Sequence, residues 1–215
     1  MLLAFDTSSS AVTVALHDGT AVVAGESAVG ARRHGELLSV FIAAVLRRAG
    51  AAPADLTAVA VGTGPGPYTG LRAGLVTARV LASSLGIPAD GICSLDIIAA
   101  EALASAGGRE FLVATDARRR EVYWARYEAS GRRAEGPGVD GPSGLPAGLP
   151  VAGEGAVLYP ELTSTPIGPL YPSAAQLAVL AAARIAAGQL PEPPEPLYLR
   201  RPDAREPGKP KRVTP

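Results

Sequence analysis

The chain has 215 residues but one cysteine, Cys93, so neither an intrachain disulfide nor an all-thiolate metal site can form. It has two histidines. His17 falls in a turn, and His34 starts a helix with Leu38 where a second helical ligand would stand. A histidine metal site and a histidine-dependent triad are therefore disfavoured. Aromatics make up only 5%, too few for a base-stacking surface. Formal net charge is zero, so nothing draws the chain generally toward nucleic acid or anionic membrane. No apolar run approaches the ~20 residues that span a bilayer. The opening Met1–Asp6 lacks a basic segment and meets an acid at once, unlike a signal peptide. The expected location is cytosolic. No Gly-x-Ser-x-Gly elbow occurs.

What is present is 47% apolar sequence, enough for a core in one large or two small domains. Arginine supplies 18 of the 20 basic residues, and alanine, glycine and proline abound, as in a GC-rich genome. Leu2–Phe5 is an apolar strand ending at Asp6, Ala11–Leu16 alternates, and His17–Thr20 turns the chain into a third strand, Ala21–Ser27. Gly35–Arg48 is helical, closed by Arg47, Arg48 and Gly50. Leu56–Val61 is a buried strand, and Leu71–Leu85 is a second helix. Gly91–Ser94 reads as a short strand, with Ser94 placed to cap Leu95–Ala104. After Gly107-Gly108 the opening pattern returns: Phe111–Thr115, Asp116, a polar turn over 117–120, then Glu121–Tyr127. The repeat predicts two related halves, 1–106 and 107–200, each opening on an Asp-bearing hairpin. Gly136–Pro150 reads as an exposed loop and Leu149–Ala152 as a short strand. Ser173–Ala187 is a capped helix, Pro191–Pro196 an extended segment, Leu197–Arg200 a final strand, and 201–215 a disordered tail.

Between the strand and the second helix lies Gly62–Arg72, with four glycines and two prolines before Leu71. A strand–loop–helix turn of this kind suits an anion at the helix N-terminus. Neither G-x-x-x-x-G-K-[ST] nor G-x-G-x-x-G fits, and Pro65 and Pro67 each remove an N–H. A rigid turn and a phosphate site both remain open. Asp6 and Asp116, one per half at a strand end, stand where an actin-like ATPase holds Mg²⁺–phosphate; the alternative is an Asx turn. Cys93 reads as core, not nucleophile. Both long helices are apolar on two sides. Leu38, Phe41, Ile42 and Val45 form one stripe of the first, extended by Leu37, Val40 and Ala44. Leu71, Leu75, Ala78, Ala82 and Leu85 form one of the second, with Ala73, Val76, Val80 and Leu81 covering much of the rest. Their second cover is either more of this chain or, as favoured here, another subunit.

Ala4–Ser8, Arg33–Leu37, Gly64–Arg72, Asp116–Arg118 with Glu121–Trp124, and Leu197–Arg200 together resemble the TsaB (also called YeaZ) family. That family is a subunit of the bacterial machinery making N6-threonylcarbamoyladenosine at position 37 of tRNA. The resemblance implies an α/β, actin-like ATPase (ASKHA) fold of two RNase-H-like halves, with mixed sheets flanked by helices. It implies a non-catalytic scaffold that partners and activates TsaD, with TsaE in the same assembly, a possible homodimer when alone, and tRNA reached only through the complex. No cofactor, membrane or catalytic residue is expected. Asp6, Thr7, Gly64 and Gly66 would be a weak, vestigial nucleotide site. Leu37, Val40, Phe41, Ala44, Leu71, Gly74, Leu75 and Ala78 would meet the partner. TsaD's H-x-x-x-H metal pair corresponds here to Ser94–Ile98, with no histidine at either end. Two rivals stand beside this: an active actin-like kinase or peptidase, and a direct tRNA-binding module using Arg118–Arg120 and Lys209–Arg212.

Overall fold

A computed structural model describes residues 1–30, 34–163 and 165–200. Its first sheet is built from β1 (Leu2–Asp6), β2 (Ala11–His17), β3 (Val22–Val29), β4 (Ala58–Gly62) and β5 (Ala89–Ile92), in the order β3-β2-β1-β4-β5. The β1–β2–β3 meander is antiparallel, while β4 and β5 join β1 in parallel. Parallel neighbours need crossovers, and helices α1 (His34–Arg48) and α2 (Tyr68–Leu85) provide them. Every residue of β1, β2 and β4 is buried, because both sheet faces are covered. On one face Leu3, Phe5 and Val14 pack against Leu38 and Val45 of α1 and Leu71, Leu75 and Ala78 of α2.

The second sheet runs β8-β7-β6-β9, from β6 (Phe111–Arg118), β7 (Glu121–Tyr127), β8 (Arg133–Asp140) and the two-residue β9 (Val151–Ala152). Each half thus opens on an antiparallel meander whose first strand also takes a parallel neighbour, the arrangement expected of an actin-like, two-half α/β fold. The sheets follow the chain in order; the helices do not. Helix α3 (Ser94–Ala102), although it follows β5, packs on the second sheet with Phe111, Val113, Ala125 and Tyr127. Helix α5 (Ala174–Ala186), the last in the chain, covers the free face of the first sheet, with Leu177, Ala178 and Ala181 against Leu2, Ala4, Ala58 and Ala60. The short α4 (Gly155–Leu158) lies under the other face of the second sheet, with Ala156 beside Leu112, Ala114 and Trp124. No helix among the described residues is long and apolar enough to cross a membrane.

Several boundaries differ from the sequence expectation. Helix α2 starts at Tyr68, three residues before Leu71, because Pro67 closes the loop just ahead of it. Strand β5 ends at Ile92, and Ser94 lies inside α3 instead of capping it; Cys93 holds the cap position without a side-chain bond. Gly136–Asp140 is not loop but the end of edge strand β8, where a proline costs no ladder bond and Asp140 accepts a 2.7 Å hydrogen bond from the Trp124 indole. Leu197–Arg200 forms no strand. The four prolines between 191 and 196 strip the preceding segment of donors, and it runs as an extended strap across β5. Gly91 N–H donates to Glu192 C=O and Leu197 N–H to Thr63 C=O, both at 2.9 Å. Arg79 of α2 donates to Pro194 C=O and Arg72 to the Tyr198 hydroxyl. Ser173 does cap α5, accepting from Gln176 N–H, and Gly188 follows in the left-handed region. The tail expected to be disordered, 201–215, lies outside the described residues.

The second core hinges on Phe111, fully buried and stacked 5.4 Å from the Tyr127 ring. Phe111→Ala is expected to cost about 3–5 kcal/mol in urea unfolding, through lost transfer energy and a cavity the sheet cannot close.

Candidate functional site

Asp6 ends β1 and is 1% exposed. One carboxylate oxygen accepts from the Ser8 N–H and the Ser8 hydroxyl, each at 2.8 Å. The other accepts from the Ser94 hydroxyl of α3 at 2.6 Å. Burial pushes the Asp6 pKa above the ordinary carboxylate value, and these hydrogen bonds and the nearby His34 only partly offset that. The Asx-turn reading therefore holds for Asp6. Its acceptor positions are used by the chain itself, and it is sealed from the neighbouring cleft.

The glycine segment packs onto this loop with no free space. A Cβ on Gly62 would collide with the Asp6 carboxylate, and one on Gly66 with the Ser8 carbonyl. Gly64, at φ +86°, turns against Leu71. The Thr7 hydroxyl donates to Gly70 C=O at 2.7 Å and accepts from Gly74 N–H at 3.1 Å, so Thr7 is a clasp between β1 and α2. Asp6, Thr7, Gly64 and Gly66 are brought together as expected, but as packing. Within the chain, Asp6, Ser8 and Thr7 fill the space beside Gly62, Gly66, Gly70 and Gly74.

Above this floor a cleft of ≈ 570 Å³ separates the halves, lined by Ser9, Ser10, His34, Thr69, Gly70 and Arg118. A His34 ring N–H donates to Ser9 C=O at 2.8 Å. Ser10, which lines the cleft, donates to Glu154 of the second half at 3.0 Å. Burial raises the Glu154 pKa, against the Ser10 bond. Asp116, the counterpart of Asp6, accepts from Arg118 N–H at 2.8 Å and pairs with its guanidinium at 3.1 Å. Cys93 is buried, which pushes its thiol up to about 11 and keeps it un-ionised at neutral pH. Among the described residues, no three His, Cys, Asp or Glu converge as metal ligands. The arrangement ties its own loops together through hydroxyl–carboxylate hydrogen bonds, Ser94–Asp6 within the floor and Ser10–Glu154 beside it.

The second set of expected site residues divides. Leu71, Gly74, Leu75 and Ala78 do not face outward: they are buried against the first sheet and Thr7, so they are corrected from partner contacts to core. The line of small residues on α2 lets the Thr7 loop approach, not a second chain. Leu37, Phe41 and Ala44 on α1 are half-buried, and Val40 is 60% exposed. On α2 the outward apolar residues are Val76 and Val80, each 57% exposed and one helical turn apart. Between the helices runs a groove of ≈ 490 Å³ lined by Ile42, Ala43, Leu46, Ala51, Pro53 and Leu81.

Because the folded Asp6 holds its proton more tightly than the unfolded chain, its contribution to stability is full below the unfolded pKa near 3.8 and is lost as pH rises through the folded value. Asp6→Asn keeps the acceptor for Ser8 and carries no charge. Its stability relative to wild type is therefore expected to climb as pH rises above about 4 in urea unfolding series. Asp6→Ala, which orphans the Ser8 N–H, is expected to lose about 1–3 kcal/mol below pH ~4, the loss shrinking as pH rises.

A family model described as TsaD, tRNA N6-adenosine threonylcarbamoyltransferase, matches residues 27–163. An uncharacterised protein of Mycobacterium tuberculosis is 44% identical over 209 residues, 95% of this chain and 93% of that one. The tRNA threonylcarbamoyladenosine biosynthesis protein TsaB of Escherichia coli is 37% identical over 128 residues, 59% of this chain and 54% of that protein. The structure of YeaZ from Pseudomonas aeruginosa superposes with a TM-score of 0.76 at 32% identity, over 92% of this chain and 99% of that one. With two-half topology, glycine segment and near-complete structural overlap in agreement, the chain belongs to the TsaB (YeaZ) family, which takes part in tRNA threonylcarbamoyladenosine biosynthesis and has an actin-like fold.

Proposed function

We propose that this chain is a non-catalytic, cytoplasmic scaffold subunit of the assembly that transfers a threonylcarbamoyl group to N6 of adenosine 37 in tRNA. It docks on a TsaD-type catalytic subunit, with a TsaE-type subunit in the same assembly, and self-associates through the same face when alone. The observation that carries this reading is the outer face of α1 and α2: Val40, Val76 and Val80 stand exposed on the two helices, and an apolar groove runs between them. An apolar helix pair of this kind is a standard protein-docking surface. A second observation supports the non-catalytic part. At the stretch corresponding to the TsaD metal pair, Ser94 is spent on Asp6 and Ile98 is fully buried in the second core.

Val76→Glu with Val80→Glu is expected to abolish co-elution with a TsaD-type partner, weakening it at least about 100-fold by placing two charges in a buried contact. The melting temperature should stay within about 2 °C, because both positions are exposed. Leu75→Glu, buried at 3% exposure, should instead unfold the chain. Co-elution that survives the double change would place docking elsewhere, and threonylcarbamoyl transfer by the partner-free chain would end the scaffold reading.

A further inference from the structure

Two segments singled out in the sequence, Tyr68–Arg72 and Leu197–Arg200, meet on the outer side of α2. The Tyr198 ring stacks on Tyr68, with centroids 5.3 Å apart. The Arg72 guanidinium lies over the Tyr68 ring, 3.9 Å from its centre, and its Nε–H donates to the Tyr198 hydroxyl at 3.1 Å. Tyr198 is itself fixed from both sides. Leu197 N–H donates to Thr63 C=O at 2.9 Å, and Arg200 donates to Ala117 C=O at 2.9 Å. All three members of the cluster are nevertheless exposed, the two tyrosines at 43% each.

Arg72 is thus held in place without being used up. Arg79 on the same helix shows the contrast: its Nε and one Nη both donate to Pro194 C=O, at 3.1 and 2.7 Å, which spends its fork on the strap. Arg72 spends Nε alone, and its two terminal amino groups have no acceptor among the described residues. Its partners there are Tyr68 and Tyr198, and no carboxylate pairs with it. The strap does not supply one: Glu192 pairs with Arg184, and Glu195 with no cation among the described residues. Helix α2 has no acidic residue, and α1 has only Glu36. Tyr68, Arg72, Val76 and Val80 follow one another at four-residue steps, so they share one side of α2. A guanidinium stacked on an aromatic ring, with its terminal amino groups unspent, matches the two oxygens of a carboxylate. The stack and the Nε bond already restrict its rotamers, so little further ordering is needed on binding.

We propose that Arg72 is a preset receptor for a carboxylate of a docking protein, with Tyr68 and Tyr198 as its positioning residues. The partner sets an Asp or Glu against the two terminal amino groups of Arg72, and apolar side chains beside that acid cover Val76 and Val80. Tyrosine and arginine are among the residue types that carry most of the binding energy in such contacts. The occupant is a different protein, not a second copy, because two α2 helices facing each other bring arginines together and no acid. This role rests on the α1–α2 face being the docking surface for a TsaD-type subunit, and it adds what that subunit must present there.

The full chain is titrated with a purified TsaD-type subunit, and its self-association is measured separately by sedimentation. Arg72→Gln should weaken binding of the subunit about 30-fold or more, because the partner's carboxylate is left unpaired in the contact. It should also flatten the salt dependence of that binding. Arg72→Lys, which keeps the charge without the fork or the stack, should lose about tenfold. Tyr198→Phe keeps the ring and removes the Nε acceptor. It should cost about threefold in the wild-type chain and nothing in the Arg72→Gln background, a dependence that a merely structural tyrosine would not show. Melting temperatures should stay within about 2 °C. Self-association, and affinity for unmodified tRNA, should be unchanged in Arg72→Gln. If Arg72→Gln binds the subunit within about twofold of wild type while Val76→Glu with Val80→Glu still abolishes binding, the receptor is overturned and the docking face stands. Binding that survives both sets of changes overturns the face as well. A loss confined to self-association, or to tRNA, assigns Arg72 to a second copy or to phosphate and overturns the proposal.

Discussion

A buried carboxylate organises this molecule. Asp6 lies at the end of the central strand, where the loop after β1 meets the glycine segment and α3. An ionisable group so placed is tolerated only with its oxygens hydrogen-bonded, and the surroundings are arranged to do that. Ser8 folds back to one oxygen, and Ser94 reaches from a helix that belongs to the other half's core. Thr7, held in place by that turn, clasps α2, and Gly62 and Gly66 are glycines because the loop leaves no room for more. A strand–loop–helix motif suited to an anion is thereby occupied from within. The clasp also sets the position of α2, whose outer side carries the exposed Val76 and Val80.

Much of this architecture was legible in the residues. Apolar runs marked the central strands, and the recurrence of an Asp-ended strand before a polar turn marked the second half. The limits were equally physical. In α1 and α2 both faces are apolar, and periodicity cannot say which face meets the sheet; the stripe Leu71–Leu75–Ala78 was the larger and turned out to be the inner one. Gly74 signalled a close approach correctly, but nothing local says that the approaching group is Thr7 of the same chain. Gly136–Asp140 has loop composition and is held as an edge strand by its neighbour β7, a tertiary effect on weak local propensity. Ser94 had the chemistry of a cap, but Asp6, 88 residues away, uses its hydroxyl.

The two halves are also less separable than their repeated pattern suggests. Helix α3 and helix α5 each cover the sheet other than the one their sequence position implies. The strap then returns along β5, passes the outer side of α2 through Arg72 and Arg79, and reaches the second half through Arg200. Tyr198 stacks 5.3 Å from Tyr68 and receives a hydrogen bond from Arg72, whose guanidinium also lies over the Tyr68 ring. Relative motion of the halves is opposed at the cleft by Ser10–Glu154 and behind it by this strap. Such a brace holds the outer faces of α1 and α2 in one geometry, the pre-organisation that the proposed docking role would use.

The exchange of α5 also bears on how the chain is made. The first sheet is synthesised early, yet its second face is covered only by Leu177, Ala178 and Ala181. Until those residues have left the ribosome, Leu2, Ala4, Ala58 and Ala60 have no partner on that side. The N-terminal half therefore waits, with that face open, until residues 177–181 are available to cover it.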